Sequence, residues 1–439
     1  MPDRGRSNGG KQKRKETGPS DMNPREHARA IFLETFDGLL DQVAALQQTG
    51  RYAFFPCFEE IGNGCGRLDG NRQIVFVANN YLGLAGDPRV KRAAQEAIES
   101  FGTSACASPL AGGYTRIHRE LEDQLADCLE REAATLFASG YQANLGTIAA
   151  LMRPEDLIVS DLFNHASIVD GARLSGADFR YFNHNDAQHL ELLLRKAGRR
   201  RVLVVLEGVY SVDGDIARLA DLCTVAHRHG ALVMVDEAHS FGVLGEGGRG
   251  AAEHFGLLHE VDIIMGTMSK SLGGVGGFVV GDRNLIDVVR HNARSLIFSA
   301  ALPPAGAAAS LVALDLLRTG GHLRRRLWDN ASFLLDGLRT RGFDTMQSET
   351  PVVVIRAGLP EQAIEFTARL REHGVLVCPV IPPLVQGHLS RVRAHVTASH
   401  DRGTLAEALE VITQVGQALG IPAAPADEDR RLALPADRA

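Results

Sequence analysis

The sequence predicts an α/β protein built on a mostly parallel sheet. Two observations carry this. Short apolar, β-rich runs recur at 134–138, 157–160, 178–182, 202–206, 232–235, 262–266 and 276–280, and helical stretches at 141–152, 163–175, 187–197 and 218–229 separate most of them. Strands joined by helices imply parallel pairing with both faces covered. The second observation is composition: 439 residues, 45% of them apolar, with 46 glycines against one tryptophan. That supplies a large core and many tight turns. It excludes a disordered chain, a disulfide scaffold and a fibrous protein. Right-handed crossovers then bring the strand C-terminal ends, and a ligand site with them, to one edge.

The elements follow in order. Residues 1–25 are basic (Arg4, Arg6, Lys11, Lys13, Arg14, Lys15) and read as a disordered, solvated tail. No apolar run follows them, so they do not read as a secretory signal. From Glu26 to Gln48 the apolar positions Ile31, Phe32, Phe36, Leu39, Leu40, Val43 and Leu46 recur at helical spacing. A strand at Gln73–Ala78 ends at Asn79-Asn80, and Pro88–Phe101 reads as a helix. After the alternating stretch, and past Pro303-Pro304, a helical segment runs to about Arg341. A strand at 351–356, a helix at 361–373, strands at 375–379 and 391–396 and a helix at 404–418 make a small C-terminal α+β domain. The expected organisation is a tail at 1–25, an N-terminal helix and strand segment at 26–75, a large domain at 76–320, a small domain at 321–421 and a tail at 422–439.

Charge and cysteines narrow the class. A net charge of −6 gives no support for nucleic-acid binding. The longest uncharged stretch, Ser295–Leu314, contains Pro303, Pro304 and Gly306 and does not read as a membrane span. Six cysteines, at 57, 65, 106, 128, 223 and 378, form no C-x-x-C pair. They read as reduced thiols of a cytoplasmic protein, and no metal site is expected.

Chemistry concentrates at the strand ends. Lys270 sits in Gly266-Thr267-Met268-Ser269-Lys270-Ser271-Leu272-Gly273-Gly274, just after an apolar run. Hydroxyls and open amides there suit a phosphate, and such a lysine can form a Schiff base with an aldehyde cofactor. Taken alone, the segment also suits an ordinary loop lysine. It does not match the phosphate loop of nucleoside triphosphatases. Leu232-Val233-Met234-Val235-Asp236-Glu237-Ala238-His239 is a buried strand with two acids at its exit. Asp236 needs a cation or donors there. A protonated pyridine nitrogen would serve, and so would a turn that the acid caps. His239 can reach the same ring. Ser139-Gly140-Tyr141-Gln142-Ala143-Asn144 passes from strand to helix, where first-turn amides can take phosphate. His165, after Asp161-Leu162-Phe163-Asn164, can stack on a planar cofactor or serve structure.

These motifs join Asn79-Asn80-Tyr81-Leu82-Gly83-Leu84, Asn164-His165-Ala166-Ser167, Glu207-Gly208-Val209-Tyr210-Ser211-Val212-Asp213-Gly214-Asp215 and Phe298-Ser299-Ala300-Ala301-Leu302-Pro303-Pro304. Together, over residues 45–420, the chain resembles the α-oxoamine synthases, pyridoxal-phosphate enzymes of fold type I. The resemblance implies a large domain with a mostly parallel seven-stranded sheet and a small C-terminal domain. It implies that Lys270 holds pyridoxal 5′-phosphate covalently and later moves the Cα proton. Asp236 would pair with the pyridine nitrogen, His239 and Ser211 would bond the ring 3′-oxygen, and His165 would stack on the ring. Gly140, Tyr141, Thr267 and Ser269 would hold the phosphate, with Ser299 contributed by the neighbouring subunit of a homodimer. Arg393, helped by Asn79, would bind the amino-acid carboxylate.

The implied reaction is a decarboxylative condensation of an amino acid with an acyl thioester, delivered by coenzyme A or an acyl carrier protein. The products are an α-amino ketone, carbon dioxide and a free thiol. The wording of Gly140–Leu151, His165–Gly171, Val205–Ile216, Gly276–Val280 and Arg326–Ala331 is most similar to the bacterial branch that uses serine. Branches using alanine or glycine, or a carrier-bound chain in specialised metabolism, are the alternatives. Two positions depart from the family pattern: Pro109, where several members carry an arginine, and Asn80, where aspartate is usual. An aminotransferase of the same fold would share Asp236 and Lys270, but the Glu207–Ser211 and Ser139–Tyr141 motifs argue against it. An idle scaffolding subunit would not need both Lys270 and Asp236.

Overall fold

The computed structural model describes residues 23–421 except Asn63. Of the tail expected at 1–25, residues 1–22 lie outside the described residues, as does the tail expected at 422–439. The chain divides after Tyr52 into two compact units. In the first, the expected single helix is two, Pro24–Glu34 and Asp37–Gln48. The first starts two residues before Glu26 because the Asn23 side chain caps it and Pro24 takes its first position. The helices part at Phe36, whose amide closes a tight turn onto the Leu33 carbonyl.

The second unit opens with an antiparallel meander, β1 (Phe58–Gly62), β2 (Cys65–Leu68) and β3 (Asn71–Val75). The expected strand at 73–78 therefore starts earlier and ends at Val75. The helix Pro88–Phe101 forms as expected, capped by Asp87.

The central sheet follows: β4 (Ala133–Phe137), β5 (Leu157–Asp161), β6 (Asp178–Phe182), β7 (Val202–Glu207), β8 (Leu232–Asp236), β9 (Ile263–Thr267) and β10 (Gly277–Gly281). Its order is β4-β10-β9-β8-β7-β5-β6. Strands β5 to β9 pair in parallel, whereas β10 is antiparallel to both β4 and β9. The loop from Met268 to Gly276 is too short for a parallel crossover, so the chain must return antiparallel. Side chains alternate between two cores. Val204, Leu206, Val233 and Val235 enter one, and Leu203, Val205 and Met234 the other. This is why the strands read as unbroken apolar runs.

The helix Arg116–Cys128 was not anticipated, although Ile117, Leu121, Leu125 and Cys128 sit at helical spacing and are buried. The long segment after Pro303 breaks at Gly320 into Pro304–Thr319 and Gly321–Thr340. The last strands are β11 (Val352–Gly358), β12 (Val375–Leu376), β13 (Cys378–Val380) and β14 (Ser390–His395). β11, β14 and β13 form a small antiparallel sheet, while β12 pairs in parallel with β3. The single strand expected at 375–379 is thus divided at Val377 between two sheets. Val392 and Ala394 of β14 enter the small core, and Arg391, Arg393 and His395 project the other way, toward Asp213, Ser211 and His239.

Candidate active site

The parallel strands end on one edge, and their exits supply the site. At the exit of β4, Ser139 caps the helix Gly140–Leu151 by accepting from the Gln142 amide at 3.2 Å. The amides of Gly140 and Tyr141 come first in that helix and have no intrahelical acceptor. Gly140 lies so close to Thr267 that a Cβ would stand 3.1 Å from its hydroxyl. Thr267 Oγ1 and Ser269 Oγ are 2.7 Å apart. Two free amides and two hydroxyls therefore form a cup suited to a dianion. Ser299 reaches the rim of this cup in its own chain, where its hydroxyl lies 3.3 Å from Gln142 Nε2.

A hydrogen-bonded row runs behind the cup. Asn144 Nδ2 donates to Asp236 Oδ2 at 2.7 Å and to Ser167 Oγ at 2.9 Å. Ser167 Oγ lies 2.7 Å from His165 Nδ1, which also faces the Ser167 amide. Nδ1 of His165 is thus the acceptor and Nε2 carries the proton. Burial, the largest influence, depresses the basicity of His165, so it stays neutral near neutral pH. Asp236 is nearly fully buried, and its other oxygen accepts from the Ala238 amide at 2.8 Å. Glu207 pairs with Asp236 in register on the next strand. Burial first, and the Asp236 charge second, push the Glu207 carboxyl well above the usual range.

Lys270 closes the arrangement. Its loop turns at Gly273, at φ +66°, where a Cβ would stand 2.3 Å from the Ala85 amide nitrogen. Only glycine fits such a close approach. Burial lowers the lysine to about 8 despite the opposing charge of Asp236. Asn79, His165, Ser211, His239, Lys270 and Arg393 line one cavity of about 2070 Å³. Arg393 Nη1 donates to the Ser211 carbonyl at 2.6 Å, while its Nε and the Asn79 Oδ1 are buried without partners. Those orphaned groups suit a carboxylate and a donor respectively.

The profile of class I and II aminotransferases matches residues 71–412. The 8-amino-7-oxononanoate synthase of Thermoanaerobacter pseudethanolicus is 42% identical over 391 residues, covering 89% of this chain and 99% of its own. The serine palmitoyltransferase of Bacteriovorax stolpii is 40% identical over 387 residues, covering 88% and 92%. The chain belongs to the α-oxoamine synthases. A lysine-to-alanine variant of the serine palmitoyltransferase from S. paucimobilis, solved with a bound PLP–myriocin aldimine, superposes with a TM-score of 0.86 at 35% identity, covering 89% of this chain and 99% of that one.

As an α-oxoamine synthase the protein is a pyridoxal-phosphate-dependent C-acyltransferase. The residues present fit the cofactor: the cup offers first-turn amides and two hydroxyls, Asp236 is held by Asn144 and the Ala238 amide, and burial lowers Lys270 to about 8. Sequence reasoning assigned no role to Tyr81, Asn144, Ser167, Glu207 or His395. The first four lay inside the motifs, but spacing does not reveal a partner on another strand. Asn80 is structural, its side chain accepting from the Ala85 amide at 3.2 Å. Pro109 opens a tight turn, in which the Ser108 carbonyl accepts from the amides of Ala111, Gly112 and Gly113.

One ion network props the cavity's far wall. His184 bridges Asp161 at 3.0 Å and Asp215 at 2.8 Å, and stacks on Phe163 with ring centres 4.4 Å apart. Burial opposes its charge, but both carboxylates together raise it to about 10. Its folded value exceeds its unfolded one, so its stabilisation is complete below about 6.5 and is lost as pH rises through about 10. His184→Gln is expected to lower unfolding free energy by about 3–5 kcal/mol at neutral pH. Urea titrations should show the loss of stability between neutral and alkaline pH in the wild type and a flatter profile in the variant. Parallel profiles would contradict the charge assignment.

Proposed function

We propose that the protein condenses serine with a long-chain acyl thioester, releasing carbon dioxide and the thiol and forming an α-amino ketone. The observation that carries the reading is the single cavity shared by Lys270, His165, His239 and Arg393, with Asp236 directly behind it. In this reading Lys270 holds the cofactor, the 140–141 amides with Thr267 and Ser269 hold its phosphate, and Ser211 and His239 face its ring oxygen. The bound cofactor supplies an electron sink for negative charge at the amino-acid Cα.

The chain's own groups do the rest. Arg393, with Asn79, fixes the α-carboxylate and so sets which Cα bond stands perpendicular to the ring. Lys270 takes the Cα proton, its lowered basicity leaving part of it neutral near pH 8. His165, which lines the cavity, would cover the ring face of the bound cofactor. Asp236, fixed by Asn144 and the Ala238 amide, would pair with the ring nitrogen of the bound cofactor.

Serine is supported by the close superposition on a serine palmitoyltransferase. A second reading, alanine, is favoured by the slightly higher identity to an 8-amino-7-oxononanoate synthase. Carbon dioxide release should be measured with serine, alanine and glycine, against acyl chains on coenzyme A and on a carrier protein. Serine is expected to exceed the others by at least about tenfold in kcat/KM. Faster turnover of alanine would establish the second reading. The proposal includes a cytoplasmic homodimer, and sedimentation of an active monomer would overturn that part. Among the described residues no helix is long and apolar enough to cross a membrane.

A further inference from the structure

Strand β14 turns three residues to one side, at every second position. Arg391 pairs with Asp213, and Arg393 bonds the Ser211 carbonyl. The third, His395, has no such partner. It is 1% exposed, and neither ring nitrogen makes a well-formed hydrogen bond, although the Phe76 carbonyl lies close enough to favour a proton on the ring. A buried imidazole without well-formed hydrogen bonds is costly, and a hydrocarbon of similar shape would avoid that cost. Its surroundings suggest a reason for keeping it. The ring stacks on His239 with centres 6.2 Å apart and planes 24° apart. Tyr81 stands edge-on to both rings, at 6.2 Å from His395 and 6.1 Å from His239. The Tyr81 hydroxyl lies 2.7 Å from His239 Nδ1.

We infer that His395 is a positioning residue that keeps the His239 imidazole uncharged and turned toward Tyr81, with Nε2 left to face the cofactor. Burial, the largest influence, depresses both imidazoles, and at His239 the charges of Lys270, His395 and Arg393 add to it in that order. His165 adds to the same field at His239. The phenol of Tyr81 stays protonated, since burial pushes it far above its ordinary value. The Phe76 carbonyl is the one neighbour favouring charge on His395. A neutral His239 whose Nδ1 accepts from Tyr81 must carry its proton on Nε2. It can then donate a hydrogen bond to an anionic ring oxygen without adding a full positive charge. This inference rests on the cofactor reading proposed above.

His395→Phe keeps a flat ring against His239 and Tyr81 and removes the titratable neighbour. Histidine NMR of the protein without added cofactor should show His239 protonating at higher pH in the variant than in the wild type. Pyridoxal-phosphate affinity should stay within about twofold near pH 8 and fall about 3–10-fold only at acid pH, where His239 of the variant takes a proton and that of the wild type does not. A purely structural role would instead weaken binding equally at both pH values, and that result, or an unmoved His239 titration, would overturn the inference. Trp328, the single tryptophan, donates to the Val243 carbonyl at 2.9 Å, so its emission reports that the helix Gly321–Thr340 remains packed there. Should His395→Phe fail that check, His395→Asn is read in the same way. The NMR arm stands without the cofactor. Failure of the cofactor reading would appear separately, as wild-type protein that takes up no pyridoxal phosphate.

Discussion

Replacing Lys270 by alanine is expected to lower kcat by at least about 10⁴-fold and to abolish the visible absorbance of the cofactor-loaded protein. Both effects follow from placement. The lysine sits on the loop between β9 and β10, beside the Thr267–Ser269 cup and opposite Arg393. No other lysine or histidine of the cavity stands on that loop to take over the proton. The fold should not suffer. Burial already disfavours the charged amine, lowering it to about 8, so removing it relieves a desolvation cost. The expected result is therefore an inactive protein with an unchanged or slightly raised urea midpoint. Turnover within about a hundredfold of wild type would end the assignment of Lys270 as the group that moves the proton.

Asp236→Asn is expected to reduce kcat by about 10²–10³-fold and to weaken cofactor binding, because an amide cannot keep the ring nitrogen protonated. The substitution also has a local cost. One oxygen of Asp236 accepts from Asn144 and the other from the Ala238 amide. An asparagine can satisfy only one of these donors, which costs about 1–3 kcal/mol of stability. Asp236→Glu keeps the charge but displaces it by a methylene, and it should recover less than the full rate. Full activity of the asparagine variant, measured as carbon dioxide release at saturating cofactor, would show that the carboxylate is not required.

Much of the fold was legible because its strands are buried on both faces. Unbroken apolar runs such as Val202–Leu206 and Leu232–Val235 need no alternation to be recognised, and the helices between them force parallel pairing. The direction of β10 was not read, although the short loop before it contains the information. The β1–β2 hairpin escaped because it is mostly exposed and carries charge and glycine in place of an apolar pattern. The helix Arg116–Cys128 escaped although its spacing was regular. The expected strand at 375–379 was divided because Leu376 and Cys378 pair with strands distant in sequence, β3 and β14.

For the site, the sequence by itself determined which residue types stand at the strand exits. An acid that ends an apolar strand, a lysine between hydroxyls and a glycine that opens a helix are local facts, carried by neighbours in the chain. Their assembly on one edge follows from right-handed crossovers. Partners were settled only by the tertiary structure. Asn144 reaches Asp236 from 92 residues away in the chain, Glu207 stands beside Asp236 in register, and His184 bridges Asp161 at the end of β5 and Asp215 in the loop after β7. Arg393 faces the cavity because β14 sends alternate residues to opposite sides, and the same alternation delivers His395 behind His239. The physical reason is common to all of these. A side chain's charge and hydrogen bonding depend on the dielectric around it and on groups within a few ångströms, and folding draws those groups from remote parts of the chain.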